Sequence, residues 1–219
     1  MPNKTTTMQQ VALSTAYFPP LQYISKFLAG SVTIEAHESY RKQSYRNRCK
    51  ILAANGPMAL TVPVAKWHGE RMPIAEVQID YDKPWQNNHL KSIESAYKSS
   101  PFYDYYIDDF MPFFENRYER LFDYNQQILE VILKTLGIKP SIDYTTDFDK
   151  TIEGKADLRY SISPKESQQQ PDPYFTPVEY YQVFADRHGF TPNLSILDLL
   201  FNEGPMAKSI LEQSIKKGK

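Results

Sequence analysis

The succession of a strand, a prolyl turn, a helix and a second strand near the start of the chain constrains the fold most. VALSTAYF at 11–18 predicts a strand, and Pro19-Pro20 ends it, because proline lacks a backbone donor and forces its predecessor out of helical space. LQYISKFLAG then carries apolar residues at helical spacing, and Gly30 predicts the helix end. SVTIEAHES predicts the second strand. Such a unit has a parallel crossover and presents its loops to ligands at the carboxyl edge of the sheet. It predicts the α/β class, with a mixed β-sheet and flanking helices.

Residues 40–64 combine positive charge with a β-hairpin signal. Strand alternation from Tyr45 onward places Arg46, Arg48 and Lys50 on one face. Asn55-Gly56 between apolar runs predicts the turn, and Pro57 indicates a loop longer than two residues.

These cations allow two interpretations. Guanidinium groups on a strand can bind phosphate or carboxylate, whereas charge on an exposed edge strand can instead prevent aggregation. Asn47 between two arginines, with Tyr40 and Tyr45 nearby, favours a binding site.

The middle of the chain predicts one more strand and two helices. PIAEVQID predicts the strand, and WQNNHLKSIESAYK at 85–98 predicts the first helix. A long helix is predicted from Met111 to Leu136, because its apolar residues keep a spacing near 3.6 and Gly137 follows.

Residues 139–176 are polar and rich in proline, which predicts an irregular C-terminal excursion that acts as a lid or linker. A short strand is expected at 158–162, and residues 164–173 are expected to be exposed and mobile. Helices are predicted again through Leu200 and after Gly204-Pro205, and Ser195 with Asp198 has the S-x-x-D spacing of a capping box. We expect a disordered tail at 1–10 and one domain at 11–219.

Composition and residue spacing exclude several classes of partner and cofactor. Lys and Arg total 25 against 26 Asp and Glu, so the chain has no general positive field and we expect no nucleic-acid partner. Cys49 is the single cysteine, which excludes an internal disulfide and a cysteine-cluster zinc site. No histidine pair has metal-ligand spacing and no phosphate loop is present, so we expect no metal and no cofactor.

The polar N-terminus and the lack of a long apolar run predict a cytoplasmic protein without membrane insertion. Nothing in the sequence indicates the oligomeric state.

The helix at 85–98 carries the candidate catalytic group. His89 can act as a general base near neutral pH, Lys91 can bind an anionic intermediate, and Ser92 is a further substrate-binding candidate. The alternative is a structural histidine that packs beside Trp85.

Five stretches together resemble the WbqC-like protein family. They are AYFPPLQYISKF at 16–27, residues 40–64, IAEVQID at 74–80, WQNNHLKSIESAYKSSPFYDYY at 85–106 and YYQVFADRHGFTPNLSILDLLFNEGP at 180–205. The resemblance implies a role in the synthesis of O-antigen-like surface polysaccharides, with glycine or aminoacyl transfer to an activated sugar as the suggested chemistry. It implies that substrate-binding and catalytic positions fall on Tyr17, Lys26, Arg46, Asn47, Arg48, Lys50 and His89. Many relatives carry His-Gln-Pro where this chain has Ser14-Thr15-Ala16.

Two functions follow as hypotheses. The first is a transferase in which Arg46, Arg48 and Lys50 hold the anionic group of a small-molecule substrate, Asn47 orients the acceptor and His89 is the base. The second is a binding or assembly protein that recognises an anionic glycan precursor or a partner enzyme without turnover. The position of His89 discriminates between them, because a base must lie in the same cleft as the cations.

Overall fold

A computed structural model describes residues 10–28, 30–69, 71–152 and 154–216. The strands are β1 (Val11–Ser14), β2 (Val32–Glu35), β3 (Arg48–Ala53), β4 (Gly56–Thr61), β5 (Ile142–Tyr144) and β6 (Ala156–Asp157). The helices are α1 (Leu21–Ser25), α2 (Trp85–Tyr97), α3 (Tyr103–Glu115), α4 (Leu121–Thr135), α5 (Ala185–His188), α6 (Ile196–Glu203) and α7 (Ala207–Gln213). The α/β class is confirmed, and parallel and antiparallel pairing occur in separate sheets. The tail expected at 1–10 lies, except for Gln10, outside the described residues.

The parallel sheet has the strand order β5-β2-β1-β6. β1 and β2 pair in register from Val11 beside Val32 to Ser14 beside Glu35, as the strand–helix–strand order predicts. Both strands are buried along their whole length, which is typical of parallel strands covered on both faces. β1 ends at Ser14, so the prediction of a strand to residue 18 is wrong. Phe18 has φ +35°, and a chain that must adopt this backbone conformation cannot remain extended.

β3 and β4 form the predicted hairpin. Ala53 pairs with Gly56, so the loop has two residues and the longer loop predicted from Pro57 is wrong. Gly56 has φ +108°, a conformation that glycine adopts readily. Cys49 is buried within β3, and burial raises the pKa of its thiol far above the usual range, so it is not a reactive thiolate at neutral pH.

The long helix predicted at 111–136 is wrong, because the chain forms α3 and α4 with a break between them. The backbone is extended at Asn116 and Arg120, and Tyr118 there exchanges hydrogen bonds with the hydroxyl of Tyr81. Residues 74–80 are not a strand either. They form a short 3₁₀ helix at Ile74–Glu76 and then make isolated bridges to Val64 and Arg120.

The excursion at 139–176 supplies both edge strands of the parallel sheet, β5 beside β2 and β6 beside β1. The short strand predicted at 158–162 is therefore misplaced, because the strand in this segment is β6 at Ala156–Asp157. Residues 166–171 are exposed, as expected for part of 164–173. Among the described residues, no helix combines the length and apolar character needed to cross a membrane.

Candidate functional site

Arg46 lies in the turn before β3, and its side chain points into the protein. Its Nε donates to Glu38 Oε1 at 2.7 Å, and its Nη2 donates to Glu38 Oε2 and to Ser14 Oγ, the latter at 2.6 Å. The prediction that Arg46 shares one strand face with Arg48 and Lys50 is therefore wrong, because Arg46 precedes β3 and its side chain is buried. Its charge is neutralised by Glu38 at the carboxyl edge of β1.

Arg159 is a second buried guanidinium at the same edge, 1% exposed. Its Nη1 donates to Glu35 Oε2 at 2.8 Å and its Nη2 to Asp157 Oδ2 at 2.7 Å. Ser14 Oγ donates to the Arg159 carbonyl oxygen at 2.8 Å, which joins this ion pair to that of Arg46. The cavity here measures about 10 Å³, close to the space of one water molecule. The expected ligand position at the carboxyl edge is thus filled by the protein's own ion pairs.

A larger cavity, about 470 Å³, lies between α1, β3 and the segments at 166–177 and 191–194. We call it the amide cleft, because four amide side chains line it: Gln22, Gln169, Gln170 and Asn193. The other lining residues are Tyr45, Lys50, Pro57, Glu166, Asp172, Phe175, Pro177, Thr191, Pro192 and Leu194. Lys50 is the cation among these lining residues, so the predicted Arg46-Arg48-Lys50 trio contributes one member to the cleft.

A buried ion pair supports the floor of the amide cleft. Lys26 Nζ lies 2.5 Å from Asp172 Oδ2, and the two side chains are 0% and 5% exposed. Gln22 Nε2 also donates to Asp172 Oδ2, at 3.0 Å. Burial lowers the pKa of the Lys26 ammonium. Burial raises the pKa of the Asp172 carboxyl, but the hydrogen bonds from Lys26 and Gln22 outweigh it and leave that pKa below its usual value. Both groups are charged, and they hold residues 166–175 against α1.

Gln22 and Asn193 connect α1 to the segment before α6. The backbone N–H of Gln22 donates to Asn193 Oδ1 at 2.9 Å, and Asn193 Nδ2 donates to Gln22 Oε1 at 3.1 Å. Asn193 has φ +55°, a conformation that asparagine tolerates better than most residues. This reciprocal pair fixes two amides in the wall of the cleft.

Asp198 positions a second part of the wall. Its Oδ2 accepts hydrogen bonds from Tyr180 Oη at 2.6 Å and Gln182 Nε2 at 2.9 Å. The amide of Gln182 in turn binds both the backbone N–H and the carbonyl oxygen of Thr191, each at 2.9 Å. Burial raises the pKa of Asp198 to about 6. The predicted capping box is half correct, since Ser195 caps α6 through the Leu197 N–H but the Asp198 carboxylate binds Tyr180 and Gln182.

His89 does not lie in the amide cleft. It is 6% exposed, its Nδ1 is 2.9 Å from Tyr17 Oη, and its ring lies edge-on to Trp85 with 5.1 Å between centroids. Burial lowers the pKa of the imidazole to about 4, although a hydrogen bond with the Thr61 backbone opposes this. His89 is therefore neutral at pH 7 and packed in the core, together with Tyr17.

The remaining predicted residues are dispersed. Lys91 is exposed on α2, and Ser92 Oγ donates to the Asn88 carbonyl oxygen within the helix at 2.8 Å. Arg48 Nε donates to Thr61 Oγ1 at 3.1 Å, and Asn47 Nδ2 donates to the Val62 carbonyl oxygen at 2.8 Å. Arg48 and Lys50 lie two residues apart on the partly exposed face of β3, whereas Lys91 and Ser92 belong to α2. Within the described ranges, no group of three or more His, Cys, Asp or Glu side chains is placed to hold a metal ion.

Comparison with known proteins identifies relatives of the chain. The WbqC-like protein family model matches residues 15–177, which is well over half of the chain. An uncharacterized protein of Mycobacterium tuberculosis is 26% identical over 216 aligned residues, which cover 89% of this chain and 91% of that protein. No solved structure matches.

Proposed function

The chain belongs to the WbqC-like protein family, and on this basis we propose that it binds an anionic sugar precursor of a surface polysaccharide in the amide cleft. The observation that supports the proposal is the lining of this cleft. Four amides and two carboxylates can exchange hydrogen bonds with sugar hydroxyls, and Lys50 can bind a phosphate or carboxylate on the same ligand.

The size and the apolar part of the cleft suit such a ligand. A cavity of about 470 Å³ is within the usual range for small-molecule sites, which is roughly 300–1,000 Å³. Tyr45 and Phe175 provide aromatic surface, on which the C–H face of a sugar ring can pack. Polar groups fixed by their own hydrogen bonds, such as Gln22 and Asn193, cost little ordering when a ligand binds.

Recognition without turnover is the function that this geometry favours. The group expected to act as base, His89, is buried against Trp85, and the expected anion ligand Arg46 is neutralised by Glu38. Lys50, which forms no ion pair within the described residues, and a set of fixed amides are sufficient for binding, whereas turnover also needs a base beside a nucleophile.

A second candidate is transfer of a glycyl or other aminoacyl group to a sugar hydroxyl. One observation favours it, namely that the carboxylate of Asp172 lines the cleft and is kept ionised by Lys26. An ionised carboxylate can accept the proton of a sugar hydroxyl as the hydroxyl oxygen bonds to the activated carbonyl carbon of an aminoacyl donor. The bond between that carbon and its activating group breaks in the same reaction, and the activating group leaves.

The binding proposal is tested by thermal denaturation with hexose 1-phosphates and nucleotide-sugars. At about 100 times Kd, a ligand adds about 2.7 kcal/mol, which raises Tm by roughly 5–10 °C for a domain of this size. We expect this shift for at least one anionic sugar, a smaller shift for Lys50→Met, and no change for the matched exposed lysine variant Lys139→Ala. Absence of a shift with every anionic sugar, for a folded protein, contradicts the proposal. Addition of one glycyl group to the bound sugar, detected by mass spectrometry after an activated glycine donor is supplied, would identify turnover and favour the second candidate.

A further inference from the structure

A second cavity, which we call the Trp67 groove, has a lining distinct from that of the amide cleft. Its volume is about 570 Å³, and it is lined by Tyr40, Lys42, Val64, Ala65, Lys66, Trp67, His68 and Gly69. No residue in this set lines the amide cleft. The groove therefore requires an explanation of its own.

The described lining of the groove is cationic and aromatic. Two lysines and one histidine line it, and none of the described lining residues is a carboxylate. Lys42 and Lys66 are exposed, and neither forms an ion pair within the part of the chain that the structure describes. This distinguishes them from Arg46 and Arg159, whose charges are neutralised inside the protein. The groove retains positive charge for a ligand.

Trp67 combines that charge with a stacking surface. Lys42 Nζ lies 4.9 Å from the centroid of the indole, and Tyr40 meets the indole edge-on with 5.6 Å between centroids. Trp67 is partly exposed, so its ring is held by Tyr40 and is still accessible. A cation and an aromatic ring at one place provide partners for a negative group and a planar ring on the same molecule.

A neighbouring cavity of about 380 Å³ also contacts Trp67. It shares Ala65, Lys66 and Trp67 with the groove. Its lining carries both signs of charge, since Glu76 and Glu119 lie there together with Arg120 and the shared Lys66. Trp67 therefore lines two cavities, and phosphates belong in the groove, where the described lining carries two lysines and no carboxylate.

From this arrangement, we propose that the Trp67 groove binds a nucleoside phosphate. The phosphates lie on Lys42 and Lys66, and the base stacks at Trp67. Because its residues are separate from those of the amide cleft, the site stands whether or not the cleft binds a sugar.

Fluorescence titration tests this proposal on the full chain. The protein has two tryptophans, and Trp85 is 4% exposed, so a ligand that stacks in the groove quenches Trp67 selectively. We expect saturable quenching by uridine diphosphate, with uridine and inorganic pyrophosphate each binding at least about fivefold more weakly. The variant Trp85→Phe assigns the signal to Trp67.

Charge variants separate specific binding from general attraction. Lys42→Met and Lys66→Met each weaken binding of the diphosphate by up to about fivefold, whereas Lys139→Ala, an exposed lysine elsewhere, leaves it unchanged. Trp67→Leu, measured by calorimetry, weakens binding at least about fivefold. Absence of quenching, equal affinity for uridine, equal affinity for pyrophosphate, or unchanged binding in both lysine variants overturns the proposal. The lysine variants keep the test valid if Trp67→Leu does not fold.

Discussion

The Lys26–Asp172 ion pair predicts an asymmetric response to mutation. In Asp172→Ala, Lys26 remains fully buried, and in the described part of the chain no hydrogen-bond acceptor other than Asp172 reaches its ammonium. Loss of one partner of a buried pair costs about 3–5 kcal/mol, because the remaining charge stays in a low-dielectric environment. In Lys26→Met, by contrast, Asp172 retains the donors Gln22 Nε2 and the Tyr174 N–H and lines the cleft, so we expect a cost of about 1–2 kcal/mol.

Urea unfolding at pH 7, followed by circular dichroism, gives the free energy of unfolding of both variants. The double variant Lys26→Met/Asp172→Ala is expected to be more stable than Asp172→Ala alone, because it contains no unpaired buried charge. Hydrogen exchange of residues 166–175 is measured in parallel, since loss of the pair also allows this segment to detach locally. A loss below about 1 kcal/mol in Asp172→Ala without faster exchange refutes the reasoning, as does a greater loss in Lys26→Met.

The same pair sets a pH dependence. The pKa of Asp172 is lower in the folded protein than its usual value, so ionisation of Asp172 stabilises the fold above the ordinary carboxyl pKa near 4. This contribution is lost as the pH falls from there through the folded pKa. Asp172→Ala is expected to lose stability less steeply than the wild type over this acid range, and equal slopes would contradict the assignment.

Three further predictions concern other buried groups. The pKa of His89 is about 4 in the folded protein and about 6.5 in the unfolded chain. The free energy of unfolding therefore decreases by about 3 kcal/mol as the pH falls through this interval. NMR titration should show a neutral imidazole down to about pH 4. The pKa of Asp198 is raised to about 6 in the folded protein. Protonation of Asp198 therefore adds to the free energy of unfolding below pH 4, and this contribution is lost as the pH rises through 6. Asp198→Asn should remove about 3 kcal/mol of this dependence in urea unfolding. Arg159→Met leaves Glu35 buried without its cation and should cost about 3–5 kcal/mol, whereas Arg41→Met, an exposed guanidinium over Tyr160, should cost below about 1 kcal/mol. Similar thermal stabilities for the two arginine variants would contradict the last prediction.

Local sequence signals predict the first strands and the hairpin because their causes are local. Pro20 directly precedes the first residue of α1, and alternation in β3 places Cys49 and Ile51 inside while Arg48 and Lys50 remain partly exposed. The break between α3 and α4 could not be read in the same way. Apolar spacing continues across it, and the break depends on hydrogen bonds from Tyr81, which lies far away in sequence.

The amide cleft could not be predicted from the sequence either. Glutamine and asparagine carry no motif that marks them as ligands, and Gln22, Gln169 and Asn193 come from three distant segments. The prediction of a cationic site that includes Arg46 failed for a related reason. The sequence does not indicate that Glu38 neutralises Arg46 or that Glu35 neutralises Arg159. The QQQ tract in the excursion was the one visible signal of an amide-rich surface.

The edge strands β5 and β6 affect how this protein can fold during synthesis. Among the described strands, β1 and β2 are made first, yet their outer hydrogen-bonding edges are covered by residues 142–144 and 156–157. Until those residues leave the ribosome, two buried apolar strands keep open edges, which can pair with another chain. Such distant pairing also gives the sheet a high contact order and slows its closure. A chain that stops before residue 142 would carry an exposed parallel pair and should aggregate, so the polar excursion is part of the folding unit.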